Sequence, residues 1–420
     1  MHKIQSVRGM KDILPDETPL WQYCEDIIRR VTRRYGYSEI RLPVLEPVTL
    51  FERAVGESTD IVSKEMYDFR DKSGDHITLR PEGTSGCVRA LIEHNLCYRT
   101  CQRLWYSGPM FRYERPQKGR LRQFTQFGVE TFGLAGPDID AELILLVRDI
   151  FSALGVAEHI TLQINSLGTA VERQNYRRDL VEYFMEHYSL LDDDSQKRLY
   201  ANPLRILDSK NPEMQELISH APELLDYLEE ESNTHFQTFC HLLDTLGVSY
   251  EINPRLVRGL DYYTRTVFEW VAETAGTQGT LCGGGRYDGL VELFDKNSLP
   301  AAGFAIGMER LLLLLQNITP VPVGQSPDIV ITSEGLLTEH LIISDRLRNE
   351  VPYLNVSTDC SGSKIKRQHE NAINSGCQYI LTVRNDHVLS LWKLKERENS
   401  LLTLDELIAF FKNKPLPVNQ

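Results

Sequence analysis

Gln126 and Glu130 stand four residues apart around Gly128 in the alternating run 121–132. If that run is a strand, its period of two puts Phe124, Gln126, Gly128 and Glu130 on one face. A glycine inside a strand weakens it unless something must come close to the backbone there. The economical expectation is a polar ligand lying over Gly128, held by the carboxamide and the carboxylate. Just before this run, between Arg99 and Arg122, seven Arg or Lys residues face one acid, Glu114, a balance of +6 (7 − 1) in a chain of net charge −13. A charge run alone reads as a solvated hairpin tip. Beside a polar strand face it points to phosphate.

Three further stretches carry candidate chemistry. In RPEGTSG, residues 80–86, Pro81 and Gly83 form a turn, Thr84 is placed to cap a helix, and Glu82 is the functional candidate. The plainer reading of Glu82 is a solvated turn carboxylate. The glycine run CGGGRYDGL, residues 282–290, fits neither a dinucleotide fingerprint nor a P-loop, so it reads as backbone that turns sharply or admits a ligand. GFAIGMER, residues 303–310, reads as a small-residue strand entering a helix, with Arg310 at the junction. A flat ligand stacked on that backbone suits the arginine; the plainer reading is an exposed arginine on a leucine-rich helix.

The elements that must position these residues are legible in part. Thr18 and Pro19 open a helix that Gly36 closes, with Leu20, Cys24, Ile27 and Val31 at helical spacing. A strand over 37–42 follows, ending at Pro43. The candidate site is expected on two strands, 104–112 and 121–132, the first with a bulge or bend at Gly108-Pro109. From Glu172 to Glu231 acids outnumber bases 15 to 7, and Asn202-Pro203, Asn211-Pro212 and Ala221-Pro222 break the helical pattern, which marks residues 170–246 as an inserted helical module. Sheet-like sequence resumes at Tyr250, and RGLDYY, residues 258–263, leads into a strand over 266–271. Residues 319–327 hold three prolines and a glycine and read as a linker. A small α/β domain follows, closed by a helix with the capping box Thr403-x-x-Glu406.

Composition bounds the function. The pI near 5.4 argues against a general nucleic-acid coat, though not against a local basic site. No secretory h-region and no apolar run of ~18 residues are evident, so a cytoplasmic protein without membrane partners is expected. Eight scattered cysteines suit reduced thiols. His94, Cys97 and Cys101 lack a fourth ligand nearby, and no metal ligands are readable.

Together the motifs resemble the class II aminoacyl-tRNA synthetases. FRYERP, residues 111–116, with the strand ending at Glu130, is similar to their motif 2; helix, strand and Pro43 resemble motif 1, and GFAIGMER resembles motif 3. RGLDYY and GGGRYDG are similar to the two histidine-specific motifs of the histidyl-tRNA synthetase family, and the resemblance runs the length of the chain. It implies an α+β fold: an antiparallel-sheet catalytic domain over residues 1–320 interrupted by the helical insertion, plus a C-terminal α/β anticodon-binding domain over 326–420, in a homodimer joined through motif 1. It implies that Glu82, Thr84, Arg112, Gln126, Glu130, Arg258, Tyr262, Tyr263 and Tyr287 surround histidine. Arg112, Glu114, Phe124 and Arg310 would hold ATP with its Mg2+, and Arg258 and Arg112 would be catalytic. Arg115 and Gln117 would meet the acceptor end of tRNA-His, and Lys364, Lys366 and Arg367 its anticodon arm. The turn in TVRND, residues 382–386, departs from the glycine-acid turn of the family.

The residue types suit that chemistry. Joining a carboxylate to the α-phosphorus of ATP brings two anions together, and fixed, always-charged arginine forks do this better than lysine. The attacking carboxylate is already ionised, so no general base is needed. A polar imidazole can be chosen by hydrogen bonds, so no editing domain is expected. The competing expectation is a silent paralogue, a histidine-sensing regulatory subunit of ATP phosphoribosyltransferase. A further one is a nucleotide-dependent ligase of another acceptor.

Overall fold

The strands, in chain order, are β1 (Ser38–Glu39), β2 (Leu45–Pro47), β3 (Tyr67–Arg70), β4 (His76–Leu79), β5 (Gln102–Phe111), β6 (Gln123–Phe132), β7 (Ile160–Ser166) and β8 (Glu251–Ile252). They continue as β9 (Thr264–Thr274), β10 (Thr277–Arg286), β11 (Ala301–Gly307), β12 (Ile329–Ser333), β13 (Val356–Thr358), β14 (Tyr379–Val383), β15 (Leu389–Lys393) and β16 (Glu398–Leu402). The structure, a computed structural model, describes all residues except 1–3, 57–58, 208, 210, 275–276, 296–297, 319–325, 336, 385–387 and 414–420. It falls into two compact units, Met1–Leu14 with Leu20–Val321, and Pro15–Pro19 with Pro322–Gln420.

The first unit is built on an eight-stranded sheet in the order β1-β5-β6-β11-β10-β9-β7-β8. Its six inner strands pair antiparallel, and the two-residue edge strands β1 and β8 add on in parallel. A second, three-stranded antiparallel sheet, β2-β4-β3, leads into the helix Thr84–Glu93. One face of the large sheet is covered by the helices Thr18–Arg34 and Pro137–Ala153. Leu20, Cys24, Ile27 and Val31 of the first and Leu143, Ile144, Val147 and Ile150 of the second are buried with Trp105, Phe127, Val129, Phe268 and Phe304. Each such side chain contributes ~1.5–3 kcal/mol by leaving water. Strand alternation sends Leu104, Tyr106, Phe132 and Tyr287 into a separate core with the inserted helices, so the polar face of β6 opens on that side.

The insertion is helical, as its sequence suggests. Ala170–Glu186 starts at a capping box of Thr169 and Glu172, and Asp193–Ala201, Gln215–Ser219 and Glu230–Thr245 follow, with 3-10 turns opened by Pro203 and Pro212. In the second unit the five-stranded sheet runs β13-β12-β14-β15-β16, parallel around β12 and antiparallel from β14 onward. Thr403 and Glu406 form the expected capping box, while the strand Glu398–Leu402 was not evident in its polar sequence. Residues 319–325 of the expected linker and Asn385 and Asp386 of the TVRND turn lie outside the described residues.

Several expectations need correction. β5 and β6 pair residue for residue from Gln102↔Phe132 to Phe111↔Gln123, so Gly108-Pro109 makes no bulge. The edge strand β1 reaches only to Trp105, so Pro109 removes no donor from a pairing on that side. The strand expected over 37–42 shrinks to Ser38–Glu39, and the last bond to β5 on this side is Ile40 N to Trp105 O at 2.8 Å. The glycine run divides: Cys282 to Arg286 is inner strand, paired on both sides, while the turn expected there comes only at Asp288–Leu290, where Leu290 N donates to Tyr287 O at 3.0 Å. Among the described residues no helix is long and apolar enough to cross a membrane. None of their His, Cys, Asp or Glu side chains gather in threes to hold a metal ion.

Candidate active site

A cavity of about 350 Å³ opens over β6, β10 and β11, and Glu82, Thr84, Arg112, Gln126, Glu130, Arg258, Tyr263, Tyr287 and Arg310 all reach it. Glu114, Phe124 and Tyr262 line it as well. The period-two reading of β6 holds for the side chains. It fails for Gly128, whose Cβ position is filled by the ring of Tyr106 on the neighbouring strand, not left to a ligand. A Cβ on Gly83 would strike the same ring. The phenol of Tyr106 is thus sandwiched between two glycines, and its hydroxyl donates to Glu130 Oε1 at 2.9 Å.

Glu130 is 1% exposed. Thr84 Oγ1 also donates to its Oε1, at 2.7 Å, and the Tyr287 hydroxyl donates to Oε2. Burial pushes the carboxyl up to about 8, against the pull of the three hydroxyls toward the ionised form. Thr84 does not cap its helix. Glu82 does so instead from just outside the first turn, accepting from Thr84 N at 2.6 Å, from Ser85 N at 3.0 Å and from the Ser85 hydroxyl. A carboxylate aimed at a helix N-terminus answers both the orphan N–H groups and the dipole. This frees the Thr84 hydroxyl for the site, and it leaves Glu82 buried rather than a solvated turn residue.

Gln126 Oε1 is buried without a hydrogen-bond partner among the described residues, an acceptor turned toward the cavity it lines. The rings of Tyr262, Tyr263 and Tyr287 pack with centroids 4.7–6.3 Å apart and wall this end of the cavity.

The cationic end holds Arg112, Arg258 and Arg310, with Arg120 of the loop between β5 and β6 beside them. Arg258 lies against Gly283, where any Cβ would clash with its guanidinium, so this position in the glycine run makes room for an arginine. It pairs with Glu269, whose other oxygen accepts from Thr280 Oγ1 at 2.8 Å. Burial alone would lower the Arg258 pKa, and the Glu269 carboxylate more than reverses this, so the guanidinium stays charged. Its Nε is buried and has no hydrogen-bond partner among the described residues. Arg112 donates to the Pro81 carbonyl at 2.8 Å and stands 5.3 Å above the Phe124 ring. Arg310 donates to Gly119 O at 3.2 Å and to Thr280 O at 2.8 Å, which ties the loop between β5 and β6 to β10. Beside it Glu309 accepts from Thr125 N at 2.7 Å, and burial lifts its carboxyl to about 7.

Arg115 and Gln117 do not line the cavity. They are exposed at the loop tip, where Gln117 and Arg120 exchange backbone hydrogen bonds and Arg120 pairs with Glu114. Lys364, Lys366 and Arg367 belong to the second unit, exposed at the start of the helix Ile365–Asn374, with Arg367 pairing with Glu370 at 3.4 Å. Sequence reasoning missed Tyr106, Glu269 and Glu309. For Glu269 a signal existed: a carboxylate inside the apolar strand TVFEWV needs a cationic partner.

Beneath the site, Arg286 is fully buried and binds Asp140 through Nη2 at 2.6 Å and Nε at 3.3 Å. His235 Nε2 and Thr266 Oγ1 each bond the Asp140 carboxylate at 2.8 Å. Arg286 also donates to the Leu134 and Gly136 carbonyls and to Asp288. This cluster clamps the strand that presents Tyr287 to the helices Pro137–Ala153 and Glu230–Thr245, which share one core.

The sequence family described as Histidyl-tRNA synthetase matches residues 9–311. Among solved structures, the apo histidyl-tRNA synthetase of S. aureus is similar at 35% identity and TM-score 0.80, covering 98% of this chain and 100% of that one. The histidyl-tRNA synthetase of Nostoc sp. PCC 7120, at 20% identity and TM-score 0.66, covers 98% and 99%. A Bacillus halodurans C protein described as an ATP phosphoribosyltransferase regulatory subunit/histidyl-tRNA synthetase, at 22% and 0.65, covers 92% and 99%. The latter two show likeness of fold.

Proposed function

The chain belongs to the histidyl-tRNA synthetase family, and from that premise we propose that it is a histidine–tRNA ligase, which makes histidyl-adenylate from histidine and ATP and passes histidine to the 3′ end of tRNA-His. One observation carries the reading: an anionic, hydroxyl-lined pocket and four arginines, Arg112, Arg120, Arg258 and Arg310, share a single cavity. Of about four acceptor positions on a carboxylate, Glu82 and Glu130 each have three filled by this chain. One position on each, with Gln126 Oε1, is left for the N–H groups of an ammonium and an imidazole. Histidine held there would turn its carboxylate toward Arg112 and Arg258.

In this reading Arg258 meets the α-phosphate and Arg112 and Arg310 the rest of ATP, with Phe124 beneath the base. Glu114 fits a magnesium ion brought in on ATP, because that ion takes one or two carboxylates beside phosphate oxygens. Magnesium would supply charge neutralisation at those oxygens. The arginines stabilise charge that builds in the transition state, and they need no reorganisation because backbone carbonyls and Glu269 already fix them. Arg115 and Gln117 would meet the acceptor end of the tRNA. Lys364, Lys366 and Arg367 would lie along the anticodon arm as phosphate contacts. A homodimer acting in the cytoplasm completes the proposal.

Pyrophosphate exchange into ATP with each of the twenty amino acids tests it. Exchange that depends on histidine alone, and drops ~10²-fold or more in Arg258→Ala, is expected. Histidine binding in calorimetry without exchange would instead favour the regulatory-subunit reading, which needs the histidine pocket but no adenylate chemistry.

A further inference from the structure

The cavity wall described above leaves one group with no assigned role. Tyr106 does not reach the cavity, yet it is buried, and its hydroxyl ends on the carboxylate most deeply set in the site. We propose that Tyr106 is a positioning residue for imidazole selection, which acts by fixing Glu130 so that a single acceptor site on Oε2 faces the ligand. The proposal rests on the histidine-binding reading and deepens it.

The geometry argues it in three steps. Oε1 is saturated by two hydroxyls, from Tyr106 and Thr84. Oε2 takes the Tyr287 hydroxyl and lies against the backbone of Gly303, where any Cβ would strike it, so one acceptor direction remains. The ring of Tyr106 cannot swing away, because Gly83 and Gly128 hold both its faces. The three hydroxyls pull Glu130 toward its ionised form, against the burial that lifts the carboxyl to about 8. The groups that face Glu130 are Glu82, Cys87, Tyr106, Tyr262, Tyr263 and Tyr287. None is a cation, so what pull there is toward the charged form comes from the hydroxyls. A site with one fixed acceptor and no spare donor takes a ring N–H and rejects a ring of the same size that offers only an acceptor or a C–H.

Tyr106→Phe removes the hydroxyl and keeps the ring between the glycines. Exchange kinetics and calorimetry on the full chain are the readouts. The expected result is a histidine KM and Kd raised ~10-fold or more, with the KM for ATP and the melting temperature held. The pH limb for histidine binding should also move upward, because Glu130 has lost a stabiliser of its charge. Equal histidine Kd values and superimposed pH profiles would overturn the inference and leave the ligase reading intact. Histidine and ATP constants that worsen in parallel, together with a lowered melting temperature, would reduce Tyr106 to a packing residue. A wild-type chain that neither exchanges with histidine nor binds it would remove the functional reading and this inference together.

Discussion

Replacing Asp140 with alanine is expected to cost more than any single substitution in the cavity. The carboxylate lost is 2% exposed and accepts from Arg286 twice, from His235 and from Thr266. Arg286 remains fully buried with Asp288, at 3.2 Å, and two carbonyls as its partners. Breaking a buried pair from one side costs ~3–5 kcal/mol, and the partly exposed Asp288 is a poor substitute for the lost carboxylate. The pH dependence has a definite sign. Burial would raise the Asp140 carboxyl, but His235 and Arg286 hold it below its ordinary value of 3.8. Its contribution is therefore present above that value and lost as pH falls through the lower, folded one. Urea unfolding of the full chain, followed by circular dichroism at neutral and acid pH, should give the full deficit near pH 7 and a shrinking one toward ~pH 3. The double variant Asp140→Ala with Arg286→Met should recover ~1 kcal/mol or more of it, because no charge is then left buried. A loss under ~1 kcal/mol, or one that does not change with pH, would refute the reasoning.

Two further outcomes are expected. Glu309 sits near 7 in the folded chain against an ordinary 4.5, so its burial destabilises the fold progressively as pH rises through that interval. Glu309→Gln keeps an acceptor for Thr125 N, and its melting temperature should overtake the wild type across the same interval; a pH-independent gap would contradict this. Arg115→Ala, at the exposed loop tip, should leave pyrophosphate exchange within ~2-fold and slow transfer to tRNA-His ~10-fold or more. Unchanged transfer would take Arg115 out of the acceptor-end contact.

How much of this was readable in advance depends on the range of the interaction. Phe124, Gln126 and Glu130 were placed on one face by strand period alone, because alternation is local. Gly128 was misread because the ring that fills its Cβ position comes from Tyr106, 22 residues back along the chain and opposite it across a pairing that no local pattern specifies. Tyr106 itself hid among the aromatic residues of β5 as one more core side chain. Thr84 was misassigned for a related reason. Its neighbour Glu82 could also serve the helix end, and only the approach of Glu130 decides which of the two does so. The motif arginines were found by type, but their fixing carbonyls at Pro81, Gly119 and Thr280 were beyond any reading of sequence. The glycine run was singled out for a turn or a ligand, and its first purpose is to seat Arg258 over Gly283.

The two glycines that sandwich Tyr106 also constrain how this chain can diverge. A side chain at position 83 or at position 128 would occupy space the ring already holds. A ring lost from position 106 would open a void bounded by bare backbone beside a buried carboxylate. The three positions therefore change in concert or not at all, and the first step of any route between two such arrangements is the unfit one. Gly83, Tyr106 and Gly128 behave as one inherited character, although no two of them are neighbours in the sequence, and random paired substitutions at these sites should show strong sign epistasis.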